Sequence, residues 1–148
     1  MNRKPKKARL FMVVGVLFLL APMAVPGFSW AQEVTLVVNK DVAVSAVSAD
    51  EINSIFLGKK TTWDTGEKIN FAIFEQADVL AVFTERYLKK SAAQFKNYWK
   101  SMVFTGKGNM PPAFKSREAV FEFVSSTKGA IAFVSGPAAA SVKAVQVQ

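Results

Sequence analysis

Polar residues directly follow two of the predicted strands, where an open α/β sheet can bind a ligand. Glu75, Gln76 and Asp78 come after an apolar run that ends at Phe74, and Asn39 follows an earlier run. Open α/β sheets bind ligands beyond the carboxyl ends of their strands, so we expect these four residues at the ligand edge. Two alternatives remain: Asp78 fits a helix N-cap, which we favour, and Glu75 and Gln76 fit solvated loop residues equally well.

A second candidate is the glycine loop, defined as Thr105-Gly106-Lys107-Gly108-Asn109. Its glycines would let several backbone N–H groups face an anion, and the lysine adds positive charge. Thr105, Gly106 and Lys107 are therefore candidate ligand residues. The loop lacks the frame of a P-loop, because two prolines follow where the phosphate-binding helix would begin. A helix C-terminus followed by a turn is the preferred interpretation.

The sequence contains no His and no Cys. It therefore lacks the usual general base, the cysteine nucleophile, the Ser-His-Asp triad and the common zinc ligand sets. Glu75 and Asp78 could in principle act as an acid–base pair, but nothing else assembles around them. We expect a protein that is not an enzyme and uses neither a cofactor nor a metal.

Residues 1–31 have the pattern of a signal peptide. Basic residues at the start precede an apolar run from Leu10 to Val25, and Ser29-Trp30-Ala31 supplies the small residues of a cleavage site after Ala31. The apolar run is shorter than the roughly 20 residues that a stable membrane span requires. We predict export to the periplasm, or secretion as the alternative, without stable membrane insertion after cleavage.

The positive charge of the chain belongs mainly to this leader. Five of the 19 basic residues and none of the 11 acidic residues lie in it, so the remainder carries a net charge of only +3. The lysines of that remainder are scattered among acidic residues, which argues against a nucleic-acid partner. Residues 32–148 are enough for one domain with a single core, and they fold without disulfides.

The hydrophobic pattern alternates between strands and helices. We predict strands at 33–38, 69–74, 130–134 and 144–147, and helices after Ser48, at 78–89, after Ser91 and after Ser116. Ser48 and Glu51 have the spacing of a capping box. This order predicts an α/β fold with a mostly parallel sheet covered by helices.

Most aromatic residues have the spacing of a helix core. Phe95, Trp99 and Met102 lie on one face of a predicted helix. Trp63 differs because it lies in a polar turn. It either folds back to cover the sheet, which we prefer, or is an exposed anchor for a partner.

Three phrases in fixed order carry a family resemblance: IFLGKKTTWDTG from Ile55, VFTGKGNMP from Val103 and KGAIAFV from Lys128. The segment from Asn39 to Ala140 resembles the second lobe of the periplasmic phosphate-binding proteins of ABC transporters. That family has the type II periplasmic binding protein fold. The resemblance implies a short, single-lobe member with a single periplasmic-binding-protein-like domain at 32–148.

The chain departs from this family at Glu75 to Leu80, where phosphate-binding members carry Arg and a Ser-Gly-Thr loop. Two carboxylates at a helix N-terminus would repel a phosphate dianion, so the phosphate loop is not preserved. The resemblance still implies a small solute, such as an oxyanion, together with an ABC permease and a homodimer that would complete the cleft. The alternative is an envelope interaction module that uses the former ligand face to bind a protein partner.

Overall fold

A computed structural model describes residues 33–148. The predicted signal peptide and its cleavage after Ala31 lie outside the described residues. None of the helices within 33–148 has the length and apolar character needed to cross a membrane.

The described chain contains seven strands, four α-helices and one π-helical turn, all short. The strands are β1 (Val34–Val38), β2 (Ala46–Val47), β3 (Asn70–Phe71), β4 (Ile73–Phe74), β5 (Ala113–Phe114), β6 (Ala130–Ser135) and β7 (Lys143–Val147). The α-helices are α1 (Ala49–Phe56), α2 (Ala77–Phe83), α3 (Ala92–Phe104) and α4 (Arg117–Ser126), and the π-helical turn is Thr84–Leu88.

Five strands form one mixed sheet in the order β2-β7-β1-β6-β3, and β4 and β5 form a separate pair. The predicted α/β class is correct. Two of the four strand pairings in the five-stranded sheet are parallel, but β1 runs antiparallel to both β6 and β7. The sheet is therefore less parallel than the sequence predicts, because an apolar run shows that a strand is buried and not which way its neighbours run.

The strand predicted at 69–74 is divided between two sheets. Asn70 and Phe71 pair with β6, whereas Ile73 and Phe74 pair with β5. Ala72 lies at the division: its N–H donates to the carbonyl of Ile131, and the next N–H donates to Pro112. The change of partner lets one apolar run connect the main sheet to the β4–β5 pair.

The helix predicted at 78–89 has two parts. It begins as α2 and continues as the π-helical turn, and Lys89 ends it with a left-handed backbone at φ 54°. Gln76 occupies the N-cap position, so the N-cap interpretation of Asp78 is wrong. Asp78 is instead the second helical residue, where its carboxylate still lies near the positive helix end.

Three serines begin helices as predicted. The hydroxyl groups of Ser48, Ser91 and Ser116 accept from the backbone N–H three residues later at 3.1–3.2 Å. Only half of the predicted capping box at α1 forms, because the Glu51 carboxylate accepts from Lys60 Nζ at 2.5 Å. An ion pair thus replaces the reciprocal capping bond.

A cluster of aromatic rings fills the space between the sheet and the helices. Phe83 stacks on Phe133 of β6 with ring centres 3.8 Å apart, and Phe56 of α1 contacts both rings. Phe71 extends the cluster from Phe56 to Trp99 on α3. These contacts fix the position of α3 against α1 and the sheet.

Candidate functional site

Trp99 of α3 forms the wall at the centre of the candidate site. Its side chain is buried, and its Nε1 donates to the Phe56 carbonyl at 3.1 Å. The neighbouring Tyr98 hydroxyl donates to the Leu57 carbonyl at 2.7 Å. Both bonds satisfy carbonyls at the C-terminal end of α1, so α3 is fixed there by polar contacts as well as by packing.

Two glycines from the sequence phrases lie against the Trp99 ring. A Cβ atom on Gly58 would lie 2.9 Å from Trp99, and one on Gly108 would lie 3.1 Å from it. Real Cβ atoms rarely approach so closely, so glycine lets both loops approach the ring. Gly58 also has a positive φ of 71°, a conformation that glycine adopts readily after the C-terminal end of a helix such as α1.

The first cavity beside this wall, the basic cavity, has a volume of about 450 Å³. Lys68 and Lys107 contribute positive charge, and no acidic residue occurs among the described residues that line it. Thr61, Asn70 and Asn109 add hydrogen-bonding groups. Both lysines are exposed and form no ion pair within residues 33–148. This arrangement favours an anion.

The second cavity, the apolar pocket, has a volume of about 260 Å³. It lies between α3 and the β4–β5 pair. Three charged residues line it: Glu75, Lys96 and Lys100. The other lining residues are apolar: Ile73, Leu80, Phe95, Trp99, Met110, Pro111 and Ala113.

The two cavities adjoin one another. Trp99, Met110 and Pro111 line both, so they form the partition between the cavities. Together the basic cavity and the apolar pocket make a groove along α3.

Three residues of the predicted glycine loop, Lys107, Gly108 and Asn109, line the basic cavity of this groove. Lys107 lines the basic cavity, while its N–H donates to the Met102 carbonyl at 2.9 Å. Thr105 caps the C-terminus of α3, and Gly106 follows it with a φ of 69°. Neither Thr105 nor Gly106 lines either cavity. The preferred interpretation, a helix C-terminus followed by a turn, is correct for the backbone.

The other predicted ligand residues are separated from one another. Glu75 lines the apolar pocket, whereas Gln76 and Asp78 are exposed at the start of α2 and line neither cavity. Asn39 is buried: its Nδ2 donates to the Val124 and Ser125 carbonyls at 2.9 and 3.1 Å. Its side chain therefore holds the C-terminal end of α4.

Trp63 covers the sheet, as preferred. It is only 3% exposed, and its Nε1 donates to the Gly129 carbonyl at 3.1 Å. The alternative of an exposed Trp63 anchor is wrong.

Sequence reasoning missed Lys68, Lys96 and Lys100 as groove residues. Lys96 and Lys100 directly follow the predicted core residues Phe95 and Trp99 and lie one helical turn apart. This spacing was the sequence signal that could have placed both lysines at the groove.

Metal binding receives no support from the part of the chain that the structure describes. Residues 33–148 contain no group of three or more acidic, His or Cys side chains arranged to hold a metal ion. The charged residues of the groove are suited to contact a solute by hydrogen bonds and charge.

No protein-family model matches the sequence, and no curated protein matches it. Solved structures do resemble the fold. An ABC-type phosphate transport receptor from Vibrio cholerae aligns with a TM-score of 0.53 and 19% identity, over 77% of this chain and 45% of its own. PstS from Borrelia burgdorferi aligns with a TM-score of 0.54 and 13% identity, over 78% of this chain and 47% of its own. A phosphate-binding protein from Stenotrophomonas maltophilia aligns with a TM-score of 0.60 and 16% identity, over 79% of this chain and 39% of its own.

The chain spans less than half the length of each of these three proteins. Both the share of these proteins that the chain spans and its α/β architecture agree with one lobe of a periplasmic binding protein, which confirms the predicted fold. At such low identity the likeness establishes the fold alone.

Proposed function

We propose that this chain is an exported solute-binding lobe that binds a small anion in the basic cavity and serves an ABC-type transport system. The observation that carries the proposal is the pairing of Lys68 and Lys107 without an acidic neighbour in the cavity lining. It occurs on a lobe fold shared with phosphate-binding proteins. The proposed role is binding rather than catalysis.

Phosphate is not the preferred anion in this proposal. Glu75 and Asp78 occupy the positions at which the phosphate-binding family that this chain resembles has its phosphate loop. Glu75 also lines the apolar pocket, which adjoins the basic cavity. A carboxylate near the groove repels a dianion more than a monoanion. Millimolar phosphate should therefore stabilise the protein little.

The open groove also limits affinity. Ligand sites that bind tightly bury about 70–90% of the ligand surface. Here both lysines of the basic cavity are exposed, so a single lobe covers only one side of a ligand. A second wall, supplied by a permease or by a second copy of the chain, would complete the enclosure.

Thermal unfolding of the full chain with separate anions tests this function. A ligand at about 100 times its dissociation constant stabilises a protein by about 2.7 kcal/mol. We expect at least one small anion among acetate, sulfate, molybdate and phosphate to raise the Tm, and we expect the monoanion acetate to raise it more than the dianions do.

The matched variants are Lys68→Gln and Lys107→Gln, with Lys40→Gln as the control because Lys40 is exposed and lines neither cavity. The first two should reduce the Tm shift and the control should retain it. Absence of any shift with the whole anion panel would overturn the proposal. A large increase in Tm with phosphate that is lost in the Lys107→Gln variant would show that phosphate is the ligand.

A further inference from the structure

The apolar pocket has a buried floor and a charged mouth. Leu80, Phe95 and Trp99 are each at most 5% exposed, yet all three line the pocket. The Trp99 indole N–H is already bonded to Phe56, so the Trp99 wall offers a ligand an apolar surface. Such a floor favours burial of an apolar group.

Met110 closes one side of this pocket while remaining 55% exposed. Methionine side chains are flexible and adapt to apolar ligands of different shape. A ligand in the pocket would cover apolar surface of Met110 that now faces water. Removal of this Met110 surface from water would favour binding of an apolar group in the pocket.

The charge at the mouth is positive overall. Lys96 and Lys100 are one helical turn apart on α3, which contains no acidic residue. Both are exposed, and neither forms an ion pair within residues 33–148. Glu75 from the end of β4 is the acidic residue in the pocket lining. Two cations against one anion leave an excess of one positive charge.

The size of the pocket restricts the ligand further. Its volume of about 260 Å³ lies just below the range of about 300–1,000 Å³ that is typical of small-molecule sites. One aromatic ring or a short branched chain is of suitable size.

We propose that the apolar pocket binds a small organic monoanion, with its apolar body against Phe95 and Trp99 and its carboxylate near Lys96 and Lys100. The excess of one positive charge matches a monoanion. Glu75 disfavours dianions such as phosphate and dicarboxylates. This inference goes beyond the proposed function and does not require the basic cavity to be occupied.

NMR titration of the full chain with 3-phenylpropanoate tests the inference. Two probes separate the parts of the ligand: acetate has the carboxylate without the ring, and 3-phenylpropan-1-ol has the ring without the charge. We expect 3-phenylpropanoate to shift the signals of Leu80 and Phe95, which line the apolar pocket and not the basic cavity, and to bind at least about fivefold more tightly than either probe.

Variants separate charge from burial. Lys96→Gln combined with Lys100→Gln should weaken 3-phenylpropanoate binding by about fivefold or more, and Lys40→Gln should leave it unchanged. Ala113→Phe should abolish binding by filling the pocket while both lysines remain. An unchanged Tm of this variant would show that its fold is intact.

Two results would overturn the inference: equal binding of the acid and the alcohol, or signal shifts confined to Lys68 and Lys107. The second result would leave the basic cavity, and hence the proposed function, in place. Shifts at Leu80 and Phe95 in a protein whose basic cavity binds no small anion would support the organic monoanion and reject the proposed function.

Discussion

Gly129 has a backbone conformation and a neighbour that together exclude a side chain. Its φ is 66°, and an added Cβ would lie 2.0 Å from the Lys68 carbonyl oxygen. Its own carbonyl accepts from Trp63 Nε1 and from the Asn70 N–H. The glycine of KGAIAFV is thus the point where β3, β6 and the Trp63 turn come together.

We predict that Gly129→Ala lowers the free energy of unfolding by at least about 3 kcal/mol, because left-handed strain and a backbone clash add together. Gly106→Ala is the matched control: its φ is 69°, but nothing lies within 4 Å of the added Cβ. The control should cost about 1–2 kcal/mol. Urea unfolding of both variants measures the difference, and equal losses would contradict the close contact at Gly129.

At the scale of elements, Lys60 joins α1 to the turn that follows it. Its Nζ donates to Glu51 at 2.5 Å and to Asp64 at 3.0 Å. The hydrogen bond to Glu51 and then that to Asp64 raise the pKa of Lys60 above its ordinary value of 10.5, against a smaller opposing effect of burial. The charged lysine therefore stabilises the start of α1 and the 61–66 turn together.

We predict that Lys60→Met lowers the free energy of unfolding by about 0.5–1 kcal/mol at neutral pH. Because the folded pKa lies above the unfolded one, this contribution is fully present below pH 10.5 and disappears as the pH rises through the folded pKa. Urea unfolding across this pH range measures the effect.

Lys59→Met is the control for this prediction, since Lys59 is exposed and forms no ion pair within the described chain. It should change stability little at any pH. A Lys60→Met difference that persists undiminished above the folded pKa would show that packing, and not charge, carries the effect.

At the scale of the whole molecule, the first described strand is the centre of the sheet. β1 pairs with β6 on one side and with β7 on the other, although both follow it by more than 90 residues. Val37, Val38 and the apolar residues of β6 are fully buried. The core therefore depends on contacts between the two ends of the described chain.

We predict that backbone amides in β1 and β6 exchange with solvent most slowly, because these strands have partners on both sides and a buried environment. Amides of the edge strands β2 and β3 should exchange faster. Hydrogen exchange followed by NMR gives the order. Slower exchange in α4 or β7 than in β1 would place the most stable part of the fold elsewhere.

The sequence by itself determined the local structure of this protein. Ser48, Ser91 and Ser116 begin helices, and Gly58 and Gly106 follow helix ends, because capping and positive φ depend on a few neighbouring residues. It also identified the lobe fold through its three phrases, and it correctly favoured a helix C-terminus at the glycine loop.

Only the tertiary structure decided the strand directions, the change of partner at Ala72 and the burial of Asn39 under α4. It also placed Lys68 and Lys107, which are 39 positions apart in sequence, in one cavity and Glu75 beside Lys96 and Lys100 in another. These outcomes depend on contacts between distant segments, whose pairing a local hydrophobic pattern does not encode. The groove along α3 is therefore a property of the packed lobe rather than of any single phrase.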